Sequence, residues 1–211
     1  GASAELAATI SEESGAKLIG VDCDVSKPDD VLVMVNRVVE EFGKIDVLHN
    51  NAATKSKDPG DFFVAFEDFE FSVWRDIMSV NLDGMFLVAQ AVGRQMIKQG
   101  KQEEPYKILH VASILSRETF DDVVMYGMSK HAVAGLIKGG AKALAKDNIT
   151  VNGYGPGVVR TELWEQLDKD LVEMGKFKKH GESMDSIAEN MILLKRYSYP
   201  KDIVGTAAFL V

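Results

Sequence analysis

An α/β fold, with a parallel sheet packed between helices, is what this sequence predicts, and three observations predict it. Apolar periodicity switches repeatedly between helix-like and strand-like segments along the chain, the signature of crossover units. The strand-like runs are short, apolar and joined by helices, as in strands covered on both faces. The 211 residues, 46% hydrophobic and 27% charged, suffice for one sizeable core, so a single domain over 1–211 is expected.

The elements follow in order. Residues 4–14 read as a helix that ends at Gly15, and "AKLIGVDCDV" as a first strand over 16–25. Ser26 is a candidate N-cap and Pro28 opens the next helix, "PDDVLVMVNRVVEEFG", which closes on Gly43. "KIDVLHNNAA" is a second strand running into a polar turn. A long helical region covers about 70–99, "YKILHVAS" is a third strand, and a helix is expected over about 122–146. "NITVNGYGPG" is a fourth strand that breaks into a loop. A charged stretch then leads to a last helix, "PKDIVGTAAFLV". Ligands of such sheets bind beyond the carboxyl ends of the strands, which singles out Asp24, Val25, Asn50 to Ala53, Ser113 and Gly155 to Thr161.

Bulk properties exclude several function classes. A formal net charge of −8 and a pI near 5.1, with no basic cluster, argue against nucleic acid as partner. No apolar run is long enough to cross a bilayer, and the first residues lack the pattern of a secretory signal, so a soluble cytoplasmic protein is expected. Cys23 has no second cysteine to pair with and sits in an apolar run, where it packs as a small side chain. His49, His110, His131 and His180 are scattered without ligand spacing, so no metal site is expected.

The stretch "YGMSK" places Tyr126 and Lys130 at i and i+4, one above the other on a helix face. A free phenol titrates near 10, about three units above neutrality, and a neighbouring ammonium favours the phenolate. Such a pair suits proton exchange in carbonyl reduction or alcohol oxidation. The same spacing also fits a surface pair on a core helix. A second instance, Tyr197 and Lys201, has Pro200 between its members and cannot share a helix face in the same way. Ser113 ends the third strand and its hydroxyl is either a donor to a substrate oxygen or the cap of the next turn. Asn81, an amide in an apolar helical region, needs a hydrogen-bond partner. Ser129 in "GMSKH" resembles a nucleophile elbow only in part, since His131 stands at its second glycine; a hydrolase carries little weight.

"DCDV", "HNNAA", "VNLDGMF", Ser113, "YGMSK" and "ITVNGYGPGVVRTEL" occur in the order and at nearly the spacings of the short-chain dehydrogenase/reductase family, which the chain resembles from end to end. The resemblance implies a doubly wound, three-layer, Rossmann-like parallel sheet that binds NAD or NADP and passes hydride between nicotinamide and a substrate carbon. Tyr126 then resembles the general acid/base. Lys130 resembles the residue that lowers the phenol's pKa and holds the nicotinamide ribose. Ser113 resembles the one that polarises the substrate oxygen, and Asn81 the one that keeps a water chain to the lysine. Asp24 and Val25 match positions that meet the adenine, and Asn51, Ala52 and Ala53 the turn beside its ribose. Pro156, Gly157, Val159 and Thr161 match the nicotinamide loop.

Two departures stand out. Ala53 replaces a glycine usual in the family. The family's opening strand, glycine-rich turn and helix, and its last strand, have no counterpart in these 211 residues, so a domain incomplete at both ends is expected, one that by itself neither binds dinucleotide well nor folds stably, since central strands lose partners. Residues 161–198, rich in Lys, Glu and Asp with anchors Leu163, Trp164, Phe177 and Met184, read as a lid over the site or as solvated surface helix. The loop "GYGPGVVRTELWEQLDKD" is most similar to the acetoin reductase, butanediol dehydrogenase and sugar-alcohol dehydrogenase branch, which implies a small secondary alcohol or ketone as substrate. Phe62, Phe63, Phe66, Phe69, Phe71 and Trp74 form an aromatic stripe that is either packing or a pocket rim. The resemblance further implies a homo-oligomer, a dimer or tetramer built from paired helices. Gly139 and Gly140 with Ala132, Ala134, Gly135 and Ala143 suit that contact, or tight packing on the chain's own sheet. The competing reading is a non-catalytic dinucleotide-binding relative with a scaffold or regulatory role.

Overall fold

A computed structural model describes residues 2–56, 58–62, 64–121 and 123–211. Its sheet is parallel and three-stranded, in the order β1 (Val47–Asn50), β2 (Tyr106–Val111), β3 (Ile149–Tyr154), with Leu48 opposite Ile108 and Ile108 opposite Val151. The helices are α1 (Ala2–Ser14), α2 (Pro28–Phe42), α3 (Pro59–Phe62), α4 (Phe71–Met78), α5 (Met85–Gln99), α6 (Val124–Leu144), α7 (Glu162–Glu173), α8 (Glu182–Met191) and α9 (Pro200–Leu210). The doubly wound α/β class therefore holds.

One apolar core organises these elements. Val31 and Val35 of α2, Val88, Val92 and Met96 of α5, Tyr106 and Ile108 of β2, and Ile149 and Val151 of β3 form one buried cluster, with Ala141 and Leu144 of α6 packed against it. Each aliphatic side chain so buried contributes about 1.5–3 kcal/mol. On the opposite face Leu109 is buried, while Val47, His49, Thr150 and Asn152 are exposed. Gly140 lies against the sheet, where a Cβ would stand 3.4 Å from Val151 Cγ1; Gly135 and Gly139 face open space.

Several boundaries differ from expectation for identifiable reasons. Residues 16–25 form no strand: they carry no ladder hydrogen bonds to another described segment, and a strand exists only as a pair. The backbone N–H of Asp24 instead donates to Asp30 Oδ2. Lys27, not Ser26, occupies the N-cap of α2, because Ser26 Oγ donates to Asp24 Oδ1 at 2.6 Å. Pro28 is at the first helical position and Gly43 ends the helix at φ 80°, a left-handed conformation that favours glycine. The long helical region is realised as α4, a π turn over Ser79–Gly84 and α5, running on with helical dihedrals throughout. β1, β2 and β3 are each shorter than the apolar runs that contain them.

Candidate functional site

The carboxyl ends of β2 and β3 are stitched together and to α6. Just past β2, Ser113 opens a 3-10 turn, Ile114–Ser116: its Oγ accepts from Leu115 N–H at 3.1 Å, while Ser116 Oγ accepts from Ser113 N–H at 3.2 Å. The capping role is thus realised, and it leaves the Ser113 hydroxyl proton available for donation. The N–H of Ile114 donates to the Pro156 carbonyl at 2.9 Å, tying this turn to the loop after β3. A Cβ on Gly155 would stand 2.8 Å from the Ser113 carbonyl oxygen, so this junction admits only glycine. The 3-10 turn packs against α6, the helix that carries Tyr126 and Lys130.

Lys130 is buried, with 2% of its surface exposed, and its Nζ donates to the carbonyl of Val111, the last residue of β2, at 3.2 Å. The same Nζ lies 5.5 Å from the centre of the Tyr126 ring, so the helical spacing does bring ammonium and phenol together. Burial governs both groups. Desolvation pushes the Tyr126 phenol up to about 12 and pulls the Lys130 ammonium down to about 8. The phenol's shift is opposite to the lowering expected from its charged neighbour; its cause is removal of the phenolate from water.

Asn81 lies in the π turn, fully buried. Its Oδ1 accepts from the Thr54 N–H at 2.7 Å, and its Nδ2 donates to the Thr54 carbonyl at 3.0 Å and to Ser129 Oγ at 3.2 Å. Ser129 Oγ in turn donates to the Tyr126 carbonyl at 2.7 Å. One amide therefore joins the loop after β1 to the first turns of α6. Ser129 is 0% exposed, which rules it out as a hydrolytic nucleophile.

The remaining predicted residues lie on several elements. The Asp24 carboxylate is bound by Ser26 and Lys27 at the start of α2, and hydrogen bonds from the Ser26 side chain, Lys27 and the Ser26 backbone hold its pKa below the usual range. Val25 packs on the π turn, where a Cβ added to Gly84 would approach Val25 Cγ2 to 2.7 Å. Asn51 and Ala53 are exposed and Ala52 half-buried in the loop that Asn81 clamps. Pro156 is half-buried, Gly157 is exposed with open space at its Cβ position, Val159 bridges to Ser198, and Thr161 precedes α7. In the aromatic stripe, Phe63 and the side chain of Phe62 lie outside the described residues; Phe66 and Phe71 are exposed, and Phe69 and Trp74 half-buried. Tyr197 and Lys201 flank the start of α9, where Lys201 Nζ lies over Tyr199 instead.

The segment 161–198 is ordered into α7 and α8. Asp168 is buried between them, accepting from the backbone N–H groups of Gly181 and Ser183 and from Ser183 Oγ. Lys55 Nζ reaches Asp170 Oδ2 of α7 at 2.7 Å. The indole N–H of Trp164 is buried without an acceptor among the described residues. Thr54 and the pair Lys55 and Asp170 carry no motif in the sequence, and Ser129 is a clamp partner, not the nucleophile its "GMSKH" setting suggests. Ser129 had a visible signal, a hydroxyl inside a helix; the ion pair spans 115 positions and had none.

The short chain dehydrogenase family profile matches residues 1–172. The chain belongs to that family. A diacetyl reductase, (S)-acetoin forming, of Staphylococcus epidermidis is 31% identical over 199 residues, 94% of this chain and 74% of that protein. Among solved structures, NAD+-bound xylitol dehydrogenase superposes with a TM-score of 0.85 at 29% identity, covering 99% of this chain and 78% of that one. Actinorhodin polyketide ketoreductase with NADPH does so with a TM-score of 0.85 at 27% identity, covering 98% and 76%.

Proposed function

We propose that the chain is an NAD- or NADP-dependent oxidoreductase acting between a small secondary alcohol and its ketone, with Tyr126 as general acid/base. The observation that carries this reading is the buried Lys130 ammonium, anchored on the end of β2 and set beside the Tyr126 ring. Its donor set suits a dinucleotide. An ammonium has three N–H donors and Val111 occupies one, leaving capacity for the ribose hydroxyls. Open space at Gly157 and the exposed loop around Asn51, Ala52 and Ala53 suit close approach of a flat ligand to backbone.

When bound, the dinucleotide supplies or accepts the hydride. The protein manages the proton. At neutral pH the Tyr126 phenol is protonated, the form that donates to a carbonyl oxygen during reduction; in oxidation the phenolate removes the hydroxyl proton. Ser113 Oγ–H donates to the same substrate oxygen and fixes it. Asn81 acts here through Thr54 and Ser129, holding the turn that carries Tyr126. Asp24 and Val25 are assigned to the adenine end, Asn51 to Ala53 to its ribose, and Pro156, Gly157, Val159 and Thr161 to the nicotinamide.

A small polyol or diketone substrate is supported by the relatives named for diacetyl and xylitol. The solved relatives divide between NAD+ and NADPH, so either dinucleotide is proposed. Residues 1–211 belong to one domain, with 161–198 as its lid, and the setting is a cytoplasmic homo-oligomer. The test is absorbance of reduced nicotinamide when the full-length protein is given small polyols and diketones with each dinucleotide. Turnover of at least one pair is expected. Dinucleotide binding without turnover of any substrate would instead favour the non-catalytic relative.

A further inference from the structure

We propose that Lys55 and Asp170 form a latch that seats α7 against the loop after β1, and that this seating positions the Tyr126 backbone through Thr54, Asn81 and Ser129. The consequence for turnover rests on the function proposed above; the mechanical link does not.

The ion pair is unusual in its burial. Side-chain exposures of 16% for Lys55 and 9% for Asp170 are lower than for the other lysine and arginine pairs among the described residues, in which one partner is always at least 45% exposed. Desolvation opposes charge in such a place, so the pair's role is not read from its contribution to global stability. Direction and register are what a pair 2.7 Å apart supplies. Gln166 Nε2 holds the second oxygen of Asp170 at 2.8 Å, so the carboxylate is aimed from its own helix. Burial raises the Asp170 pKa, but hydrogen bonds from Lys55 and Gln166 and the Lys55 charge outweigh it and hold the group ionised.

Two carboxylates grip α7 from different sides. Asp168 and Asp170 are two positions apart, so they project from nearly opposite faces of the helix. Asp168 binds the start of α8, while Asp170 binds Lys55. α7 and α8 are thereby joined, and Asp170 connects them to the loop after β1. The connection then continues without a gap. Thr54, next to Lys55, has both its N–H and its carbonyl taken by the Asn81 side chain, a two-point clamp that transmits displacement rather than absorbing it. Asn81 passes to Ser129, and Ser129 to the carbonyl of Tyr126. Misplacement of a reacting group by about 1 Å is enough to cost a factor of about 100 in rate.

Hydrogen–deuterium exchange on the full-length protein tests the link without any assay of activity. In Lys55→Met, amides of α7 and of residues 51–56 are expected to exchange about tenfold faster together, and Lys55→Arg is expected to restore slow exchange in both. Lys55→Met/Asp170→Leu leaves no unpaired charge and keeps the experiment possible if the single variant folds poorly; both regions are again expected to loosen. Faster exchange confined to α7, with 51–56 unchanged, overturns the latch, as does a double variant that exchanges like the wild type in both regions. The kcat of Lys55→Met should also fall about tenfold and recover in Lys55→Arg. Loosening of both regions in a protein with no oxidoreductase activity would retain the latch and reject only its role in catalysis.

Discussion

At neutral pH Lys130 carries its charge at 2% exposure with the Val111 carbonyl as hydrogen-bond acceptor, an arrangement that stability alone does not favour. Its pKa is lowered by burial to about 8, below the value of the unfolded chain. The unfolded state therefore binds more protons, so the penalty is full below about 8 and is relieved as the pH rises from about 8 towards 10.5. Lys130→Met is accordingly expected to raise stability at pH 7 by on the order of 1–3 kcal/mol in urea unfolding, with the gain shrinking above pH 8, while turnover is lost. The spacing of Tyr126 and Lys130 was legible in the sequence because helical periodicity fixes which side chains share a face. The sense of the phenol's shift was not, since it depends on burial that no local pattern encodes.

The π turn Ser79–Gly84 concentrates what the elements contribute to the site. It aims Asn81 at Thr54 and Ser129, and its Gly84 receives Val25 from the segment before α2. A Cβ there meets Val25 Cγ2 at 2.7 Å, Cβ at 3.2 Å and backbone carbon at 3.3 Å, so the clash is not with a flexible side-chain tip alone. Gly84→Ala should destabilise the protein by about 1–3 kcal/mol in chemical denaturation and loosen the Asn81 clamp. Apolar periodicity over 70–99 announced a helix, and the helix formed. Its local unwinding to a π turn carries no periodic signature in six residues. Residues 16–25 show the converse limit: their apolar composition suits a strand, but strand formation depends on a neighbour far along the chain. His110 reads as an isolated ring nitrogen source in the sequence. In the fold it is a buried β2 residue beside Asn50, and desolvation lowers its pKa to about 4, which makes it a neutral core side chain.

Across the whole molecule, α5 and α6 leave an apolar groove lined by Phe86, Gly93, Ile97, Leu136 and Leu144, with Phe86 and Ile97 each 46% exposed. This groove is where the homo-oligomer proposed above would form, since Gly135 and Gly139 of α6, open to solvent, permit close approach of another helix. Ile97→Glu in the full-length protein is expected to shift sedimentation toward the monomer without unfolding the domain; unchanged assembly would place the interface elsewhere. Alternating periodicity made the α/β class legible, and the helical spacing made the Tyr126 and Lys130 pair legible. The cross-chain ties, Lys55 to Asp170 and Thr54 to Asn81, were invisible because tertiary folding alone brings them together. Whether the Tyr126 phenol delivers the proton is tested by comparing kcat for ketone reduction in wild type and Tyr126→Phe, with dinucleotide affinity determined alongside. A fall of about 100- to 10,000-fold in kcat at nearly unchanged affinity is predicted; a variant that turns over at the wild-type rate would contradict it.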